Sequence, residues 1–306
     1  MSDAGAPARD PIPIGTIASP PFVRLPDPST HFRLRAQRFA VLALSHDLAP
    51  YLRFMAGLAE AQHQAQDGLP EPDMPTPEER ERAWTHSMPP LNLNSFAADA
   101  ALEATFDRFF ALASEIDMPR PARIALDNLA RMGHAEKAEM TRIMLDPAPQ
   151  VGLAEHAFVA AALQAHLTRM AWRLDAERLV PVGEGRCPAC GAAPVASLIV
   201  RWSGAQGTRF CACSLCSTLW HVVRIKCVSC GSTEGVAYEA IANGFGAGQV
   251  RAETCLKCKS YLKIMLQTEN PALDPVADDV ATLGLDILMR DNGFRRSAVN
   301  PFLLGY

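Results

Sequence analysis

No cysteine occurs before position 187 of the 306 residues, so thiolate chemistry is confined to the C-terminal part of the chain. No apolar run approaches the roughly 20 residues a helix needs to cross a bilayer, so membrane insertion is not expected. The N-terminus, Met1-Ser-Asp-Ala-Gly-Ala-Pro, lacks the basic and apolar regions of a secretory signal, and a cytoplasmic protein is expected. Recognisable catalytic motifs are missing too. There is no phosphate-binding glycine loop, no Gly-x-Ser-x-Gly and no His-Glu-x-x-His, and the eight histidines are scattered. Asp278 and Asp279 lie where a helix is expected to begin, which suits partners of the helix dipole better than paired catalytic acids. No enzyme activity is expected.

What is there is a globular composition, 49% hydrophobic and 20% charged, whose texture changes along the chain. Residues 1–30 form a proline-rich arm, with seven prolines between positions 7 and 30. Residues 31–180 read as an all-α domain. Helices are expected over Arg33–His46 and Tyr51–Gln66, divided by Pro50, and Thr76-Pro-Glu-Glu79 has the form of a capping box. Asn94 or Ser95 is expected to open a helix to about Glu115, followed by helices near Ala122–Met132 and Ala135–Leu145. A long helix over Leu153–Arg178 carries Val159, Leu163, His166, Leu167, Met170 and Leu174 at three- and four-residue steps, marking one buried stripe.

From Pro181 onward glycine, cysteine and β-branched residues replace alanine. Two small modules are expected, 181–225 and 226–272. Strands are expected at Val195–Trp202, Leu219–Ile225, Val236–Ile241, Gln249–Thr254 and Tyr261–Leu266. Residues 273–306 should hold a helix over Ala277–Arg290 and a tail.

Eight of the nine cysteines form Cys-x-x-Cys pairs: Cys187–Cys190, Cys213–Cys216, Cys227–Cys230 and Cys255–Cys258. In a reducing compartment such clusters hold metal more often than disulfides. Each pair on a tight turn can present two sulfurs to one ion, and two facing turns complete a tetrahedron with metal–sulfur distances of about 2.3 Å. The spacing repeats: 40 residues separate Cys187 from Cys227 and 42 separate Cys213 from Cys255. Arg209 and Arg251 each stand four residues before the third sulfur of their half. This is a duplicated unit, and the duplication favours sequential pairing over an interleaved cross-brace. One site is then Cys187, Cys190, Cys213 and Cys216, and the other is Cys227, Cys230, Cys255 and Cys258. A redox dithiol would call for one such motif opening a helix after a strand, not four in register. Zinc and iron both suit four thiolates, and the spacing does not choose between them.

Neighbouring residues get plainer readings. Cys211 is expected to pack beside the first site without binding metal, the sharper alternatives being ligand exchange or a reactive thiol. His166 is expected to be a satisfied core histidine, and His221 to lie at the surface or beside the first site without ligating. Arg201, Arg209, Arg224 and Arg251 are candidates for meeting an acidic partner, for screening thiolates, or for ordinary solvation.

Several segments together resemble the FdhE family of formate dehydrogenase formation proteins. They are Cys187-Pro-Ala-Cys190-Gly-Ala-Ala-Pro-Val-Ala-Ser, and the ordered cysteine pairs with Trp220 and Arg224 between the second and third. They continue with Arg251-x-Glu253-x-Cys255-x-x-Cys258-x-x-Tyr261-Leu-Lys263, and with Ala277-Asp-Asp-Val-Ala-Thr-Leu-x-Leu-Asp286 followed by Asn300-Pro. Pro20-Pro-Phe, Leu25-Pro and Phe32-x-x-Arg35-Ala are similar as well, though less specific. The resemblance implies an all-α domain followed by two rubredoxin-like four-cysteine modules and a C-terminal helix. It implies iron as the metal, with zinc as the alternative, and a non-catalytic assembly factor that contacts the catalytic subunit of formate dehydrogenase in the cytoplasm.

Two other classes remain open from the residues alone. A zinc-ribbon nucleic-acid binder would need a basic face. Between Cys187 and Lys263 there are eight basic and three acidic residues, but two four-thiolate sites around divalent ions would bring this region close to neutral. The rest of the chain is acidic, so nucleic acid is not expected as a partner. An electron-transfer protein would need iron in the sites.

Overall fold

The computed structural model describes residues 20–303 apart from 94, 95, 97, 146–151 and 242–245. Nine helices and eight strands occur among the described residues, in two layers. The helices come first: α1 (His31–Leu42), α2 (Ala49–Ala65), α3 (Pro77–Thr85), α4 (Ala100–Ala113), α5 (Arg120–Arg131), α6 (His134–Leu145) and α7 (Leu153–Trp172). The β-rich part holds β2 (Pro194–Ile199), β3 (Arg209–Cys213), β4 (Leu219–Val222), β5 (Val236–Glu239), β6 (Val250–Cys255) and β7 (Ser260–Leu266). It is preceded far upstream by β1 (Val23–Arg24) and followed by α8 (Ala277–Ala281), α9 (Leu283–Asp291) and β8 (Arg295–Arg296).

Local chemistry explains most boundaries. Thr76 accepts from the Glu79 backbone N–H and Glu79 returns a bond to the Thr76 N–H, completing the expected capping box at α3. Pro50 sits in the first turn of α2, where its missing N–H costs nothing. The expected start of α4 at Asn94 or Ser95 lies outside the described residues; the helix begins at Ala100, with the Asp99 carboxylate accepting from Leu102 N–H. The helix expected over Leu153–Arg178 stops at Trp172, and a short 3-10 turn covers Ala176–Arg178.

α7 also departs from the single stripe. Residues 158–168 are buried on every side, because the helix lies between the other helices and the sheet. Its polar groups serve both. Gln164 Nε2 donates to Ser214 O at 2.7 Å on the sheet side, while Gln164 Oε1 accepts from Gln62 of α2 at 3.1 Å.

The strands form one sheet in the order β1-β4-β3-β2-β7-β6-β5, with β8 alongside β7. Each repeated unit contributes an antiparallel trio, β2-β3-β4 and β5-β6-β7. The units join head to tail through a parallel seam in which Ser197, Leu198 and Ile199 face Ile264, Met265 and Leu266. The two modules therefore share a sheet and a continuous hydrophobic core with the helices. Residues 1–19 of the expected proline-rich arm lie outside the described residues; at its end, β1 joins the outer edge of the sheet through Val23 and Trp220.

β3 was not expected as a strand. Its five residues, Arg-Phe-Cys-Ala-Cys, are all buried and show no alternation. The helix expected over Ala277–Arg290 breaks at Thr282 into α8 and α9. Lys263 Nζ donates to the carbonyls of Asp279 and Thr282 at 2.8 and 3.0 Å, taking up acceptors at the junction of the two helices.

Candidate metal centres

The fold brings together the eight paired cysteines in the sequential arrangement. The sulfurs of Cys187, Cys190, Cys213 and Cys216 lie within 4.8 Å of one another, and so do those of Cys227, Cys230, Cys255 and Cys258. In each cluster one pair of ligands comes from the loop before the trio of strands and the other from the hairpin between its last two strands.

The four turns share one device. Each Cys-x-x-Cys is followed by a residue with positive φ: Gly191 (81°), Ser217 (61°), Gly231 (72°) and Lys259 (54°). The left-handed residue reverses the chain so that both sulfurs stay on one side. Gly191 N–H donates to Cys187 O at 2.8 Å and Gly231 N–H to Cys227 O at 2.9 Å. Cys187 and Cys227 N–H in turn donate to Ala192 and Ser232 O. Backbone bonds thus close the turns at Cys187 and Cys227.

The sulfur spacing fits a tetrahedral ion. A metal–sulfur distance of about 2.3 Å implies edges of about 3.8 Å. Sulfur pairs stand at matching distances: Cys187–Cys216 at 3.6 Å, Cys190–Cys213 at 3.4 Å, Cys227–Cys258 at 3.7 Å and Cys230–Cys255 at 3.8 Å. Leu215 and Cys216 N–H point at Cys213 Sγ from 3.4 Å, a placement that stabilises a thiolate. The thiols by themselves titrate unevenly. Burial pushes Cys187 and Cys190 well up. Burial also acts upward on Cys216, but bonds from the other thiols and the Thr218 hydroxyl outweigh it and bring Cys216 well down. In the second cluster burial raises Cys227 to about 12. Cys258 falls to about 7, where the Ser260 hydroxyl at 2.9 Å and the neighbouring thiols overcome burial. A divalent cation would make all four sulfurs of a cluster tenable as thiolates.

The clusters differ in exposure. All four cysteines of the first are buried, whereas Cys230 is exposed and Cys258 half-buried in the second. The first is covered from the helical side. Leu91 N–H donates to Ala189 O inside the Cys187–Cys190 turn at 2.9 Å. α7 reaches the Cys213–Cys216 turn through Gln164.

The neighbouring residues sort as follows. Cys211 is buried in β3, between Ser197 and Trp220 of the flanking strands. Burial pushes its thiol up to about 12, and it packs as a small apolar side chain. His221 is half-buried, tilted against Phe210, and is not part of the sulfur cluster. His166 is buried as expected but not satisfied: neither ring nitrogen has a hydrogen-bond partner among the described residues, and Asp99 Oδ1 stands 3.8 Å away. Arg209 is excluded from meeting a partner, being 1% exposed and paired with Glu253. Arg201, Arg224 and Arg251 are exposed.

Asp278 and Asp279 stand in the first turn of α8, where dipole partners are expected, and both are buried in ion pairs. Asp278 is buried and paired with Arg38 of α1 at 2.5 Å. Asp279 is held by Lys263, Arg296 and Asn300. Asp286 joins the same network through Lys263, Arg296 and Tyr261. These ion pairs fasten α8 and α9 to β7 and α1. The acidic triad was visible in the sequence, but its basic partners lie 240 positions away for Asp278 and 16 to 17 for Asp279, so no local spacing linked them.

The architecture has counterparts among known proteins. Family models for the FdhE N-terminal, central and C-terminal domains match residues 20–184, 186–224 and 225–303. A "Protein FdhE homolog" from Rhizobium meliloti (strain 1021) is 42% identical over 302 residues, covering 97% of each chain. Another from Serratia proteamaculans (strain 568) is 37% identical over 274 residues, covering 88% of this chain and 86% of its own. The crystal structure of the FdhE protein from Pseudomonas aeruginosa superposes with a TM-score of 0.84 at 29% identity, over 93% of this chain and 99% of that one. With all three domain models matched in order, and one cysteine cluster lying within the central match and the other within the C-terminal match, the chain belongs to the FdhE family.

Proposed function

We propose that this chain is a non-catalytic accessory protein in the formation of active formate dehydrogenase. In this reading it binds the catalytic subunit in the cytoplasm and uses two metal-stapled modules as a preshaped surface. The observation that carries the reading is the pair of four-sulfur clusters, each of tetrahedral dimension, in a chain of the FdhE family. Cys187, Cys190, Cys213 and Cys216 hold one ion, and Cys227, Cys230, Cys255 and Cys258 the other. Iron is the favoured metal and zinc the alternative. Bound metal would supply cross-links between the knuckles of each module, whose short strands bury too little apolar surface to stand alone.

The chain's own residues do the remaining work. α7 and the loop at Leu91 lock the first module to the helical domain, and the Asp279–Lys263–Arg296 network locks the tail to the second. No helix among the described residues is long and apolar enough to cross a membrane. The test is copurification from a native host, with metal analysis of the complex. Recovery of the formate dehydrogenase catalytic subunit with two metal ions per chain supports the reading. Recovery of nucleic acid with a steep salt dependence, and no such subunit, overturns it.

A further inference from the structure

The duplicated unit repeats its ligands but not its surroundings. In the first cluster the second cysteine of each turn, Cys190 and Cys216, is 1% and 0% exposed. Their counterparts in the second cluster are Cys230, which is exposed, and Cys258, which is half-buried. The inner pair of the second cluster, Cys227 and Cys255, remains buried at 5% and 2%. The second cluster is therefore the less covered of the two, its sulfur contacts part-buried where those of the first are buried, and its more exposed residues supply one sulfur from each turn.

The difference has a structural origin. The first cluster is roofed by the helical domain, through the Leu91–Ala189 and Gln164–Ser214 bonds and by Pro89. Pro89 packs so close that a Cβ on Gly191 would meet its Cγ at 3.1 Å. At the matching position of the second unit, the nearest atoms a Cβ on Gly231 would meet belong to the side chains of Glu184 and Lys226. These form an exposed ion pair at 2.5 Å. Leu256, between the two hairpin ligands, is 56% exposed.

We propose that the second centre is a ligand-exchange site, open to an external thiolate, while the first is a closed structural site. The inference rests on both clusters holding metal. In the exchange step an incoming thiolate forms a metal–sulfur bond as the bond to Cys230 or Cys258 breaks. The released cysteine leaves as a thiolate and takes a proton from water. The charge around the ion is unchanged and no electrons are transferred. Cys227 and Cys255 keep the ion in place during the exchange, so the site can present it to an outside ligand without losing it.

The experiment uses the full chain loaded with zinc. Zinc release is followed with a chromogenic chelator, with and without added glutathione or a cysteine-containing peptide. In parallel, brief iodoacetamide treatment is followed by peptide mapping. The expected result is one equivalent leaving about tenfold or more faster than the other. An added thiol should accelerate only that equivalent, and Cys230 and Cys258 should be alkylated first. Acceleration by glutathione identifies a small thiol as a sufficient ligand; acceleration by the peptide alone identifies a protein cysteine. Cys230→Ser should abolish the fast phase and leave the slow one. Two ions leaving at one rate, no acceleration by either thiol, or equal alkylation of Cys190 and Cys230 overturns the proposal. Fewer than two ions bound overturns the metal reading itself, and this inference with it.

Discussion

Arg209 on β3 and Glu253 on β6 form a two-pronged ion pair buried between the repeated units, Nη1–Oε2 at 2.7 Å and Nη2–Oε1 at 2.8 Å. Arg209 also donates to Ser197 Oγ and to the carbonyls of Arg224 and Lys226, so one guanidinium ties β2, β6 and the linker between modules. Tyr238 adds its hydroxyl to Glu253 at 3.1 Å. Even so, burial raises the Glu253 carboxyl above its ordinary range. Removing the cation strands a buried carboxylate. Arg209→Met should cost about 3–5 kcal/mol in denaturant unfolding, and Arg209→Met with Glu253→Leu should recover most of it. Equal losses in the single and double variants would show that the pair itself carries the stability.

The two clusters should differ in how far their loss spreads. Cys213→Ser removes a ligand from a cluster packed under α7, so amide exchange should quicken in α7 as well as in β2–β4. Cys255→Ser removes a ligand from the more open cluster, and faster exchange should stay within β5–β7. Each variant should bind one metal ion fewer. Identical exchange patterns in the two variants would contradict the assigned packing.

The sequence carried the cluster membership because ligand spacing repeats in one dimension, and the start of α3 because its capping box is local. It did not carry the Arg209–Glu253 pair. The duplication aligned Arg209 with Arg251, yet Arg209 is buried and Arg251 exposed. The units stack head to tail, so equivalent positions meet different neighbours. The same asymmetry hid the burial of the first cluster, which depends on Leu91 and Gln164 from the helical half. The all-round burial of α7 was equally out of reach, since residues 158–168 meet helices on one side and the sheet on the other.

The turn after Cys258 stores strain that its counterpart after Cys230 avoids. Lys259 holds φ at 54°, where a side chain is disfavoured, while Gly231 at 72° meets no such cost. Lys259 is exposed, and its ammonium lies 5.7 Å from the Phe294 ring. Lys259→Gly should therefore stabilise the loaded protein by up to about 1 kcal/mol, and Gly231→Ala should destabilise it by about the same amount. Thermal unfolding of both variants checks this, and a loss in Lys259→Gly would mean that the Phe294 contact outweighs the strain.

His166 makes stability depend on pH with a definite sign. Burial, aided by Arg169 and opposed by Asp99, lowers its pKa from 6.5 to about 4. Between those values the unfolded chain binds a proton that the folded chain refuses, so stability is full above about pH 6.5 and falls as the pH drops toward 4. The slope approaches about 1.4 kcal/mol per pH unit for one such group. His156, also lowered to about 4 by burial, adds a second contribution of the same sign. Because both nitrogens of His166 lack partners among the described residues, His166→Leu removes two buried unsatisfied atoms as well as the titration. The variant should match or exceed the wild type at pH 7, by up to about 1 kcal/mol. At pH 5 its advantage should have grown by about 2 kcal/mol. Protonation of the cysteine ligands affects both proteins alike, so it cancels in the difference. Urea unfolding at the two pH values measures it, and parallel curves would mean that the ring takes up its proton in the folded state as readily as in the unfolded one.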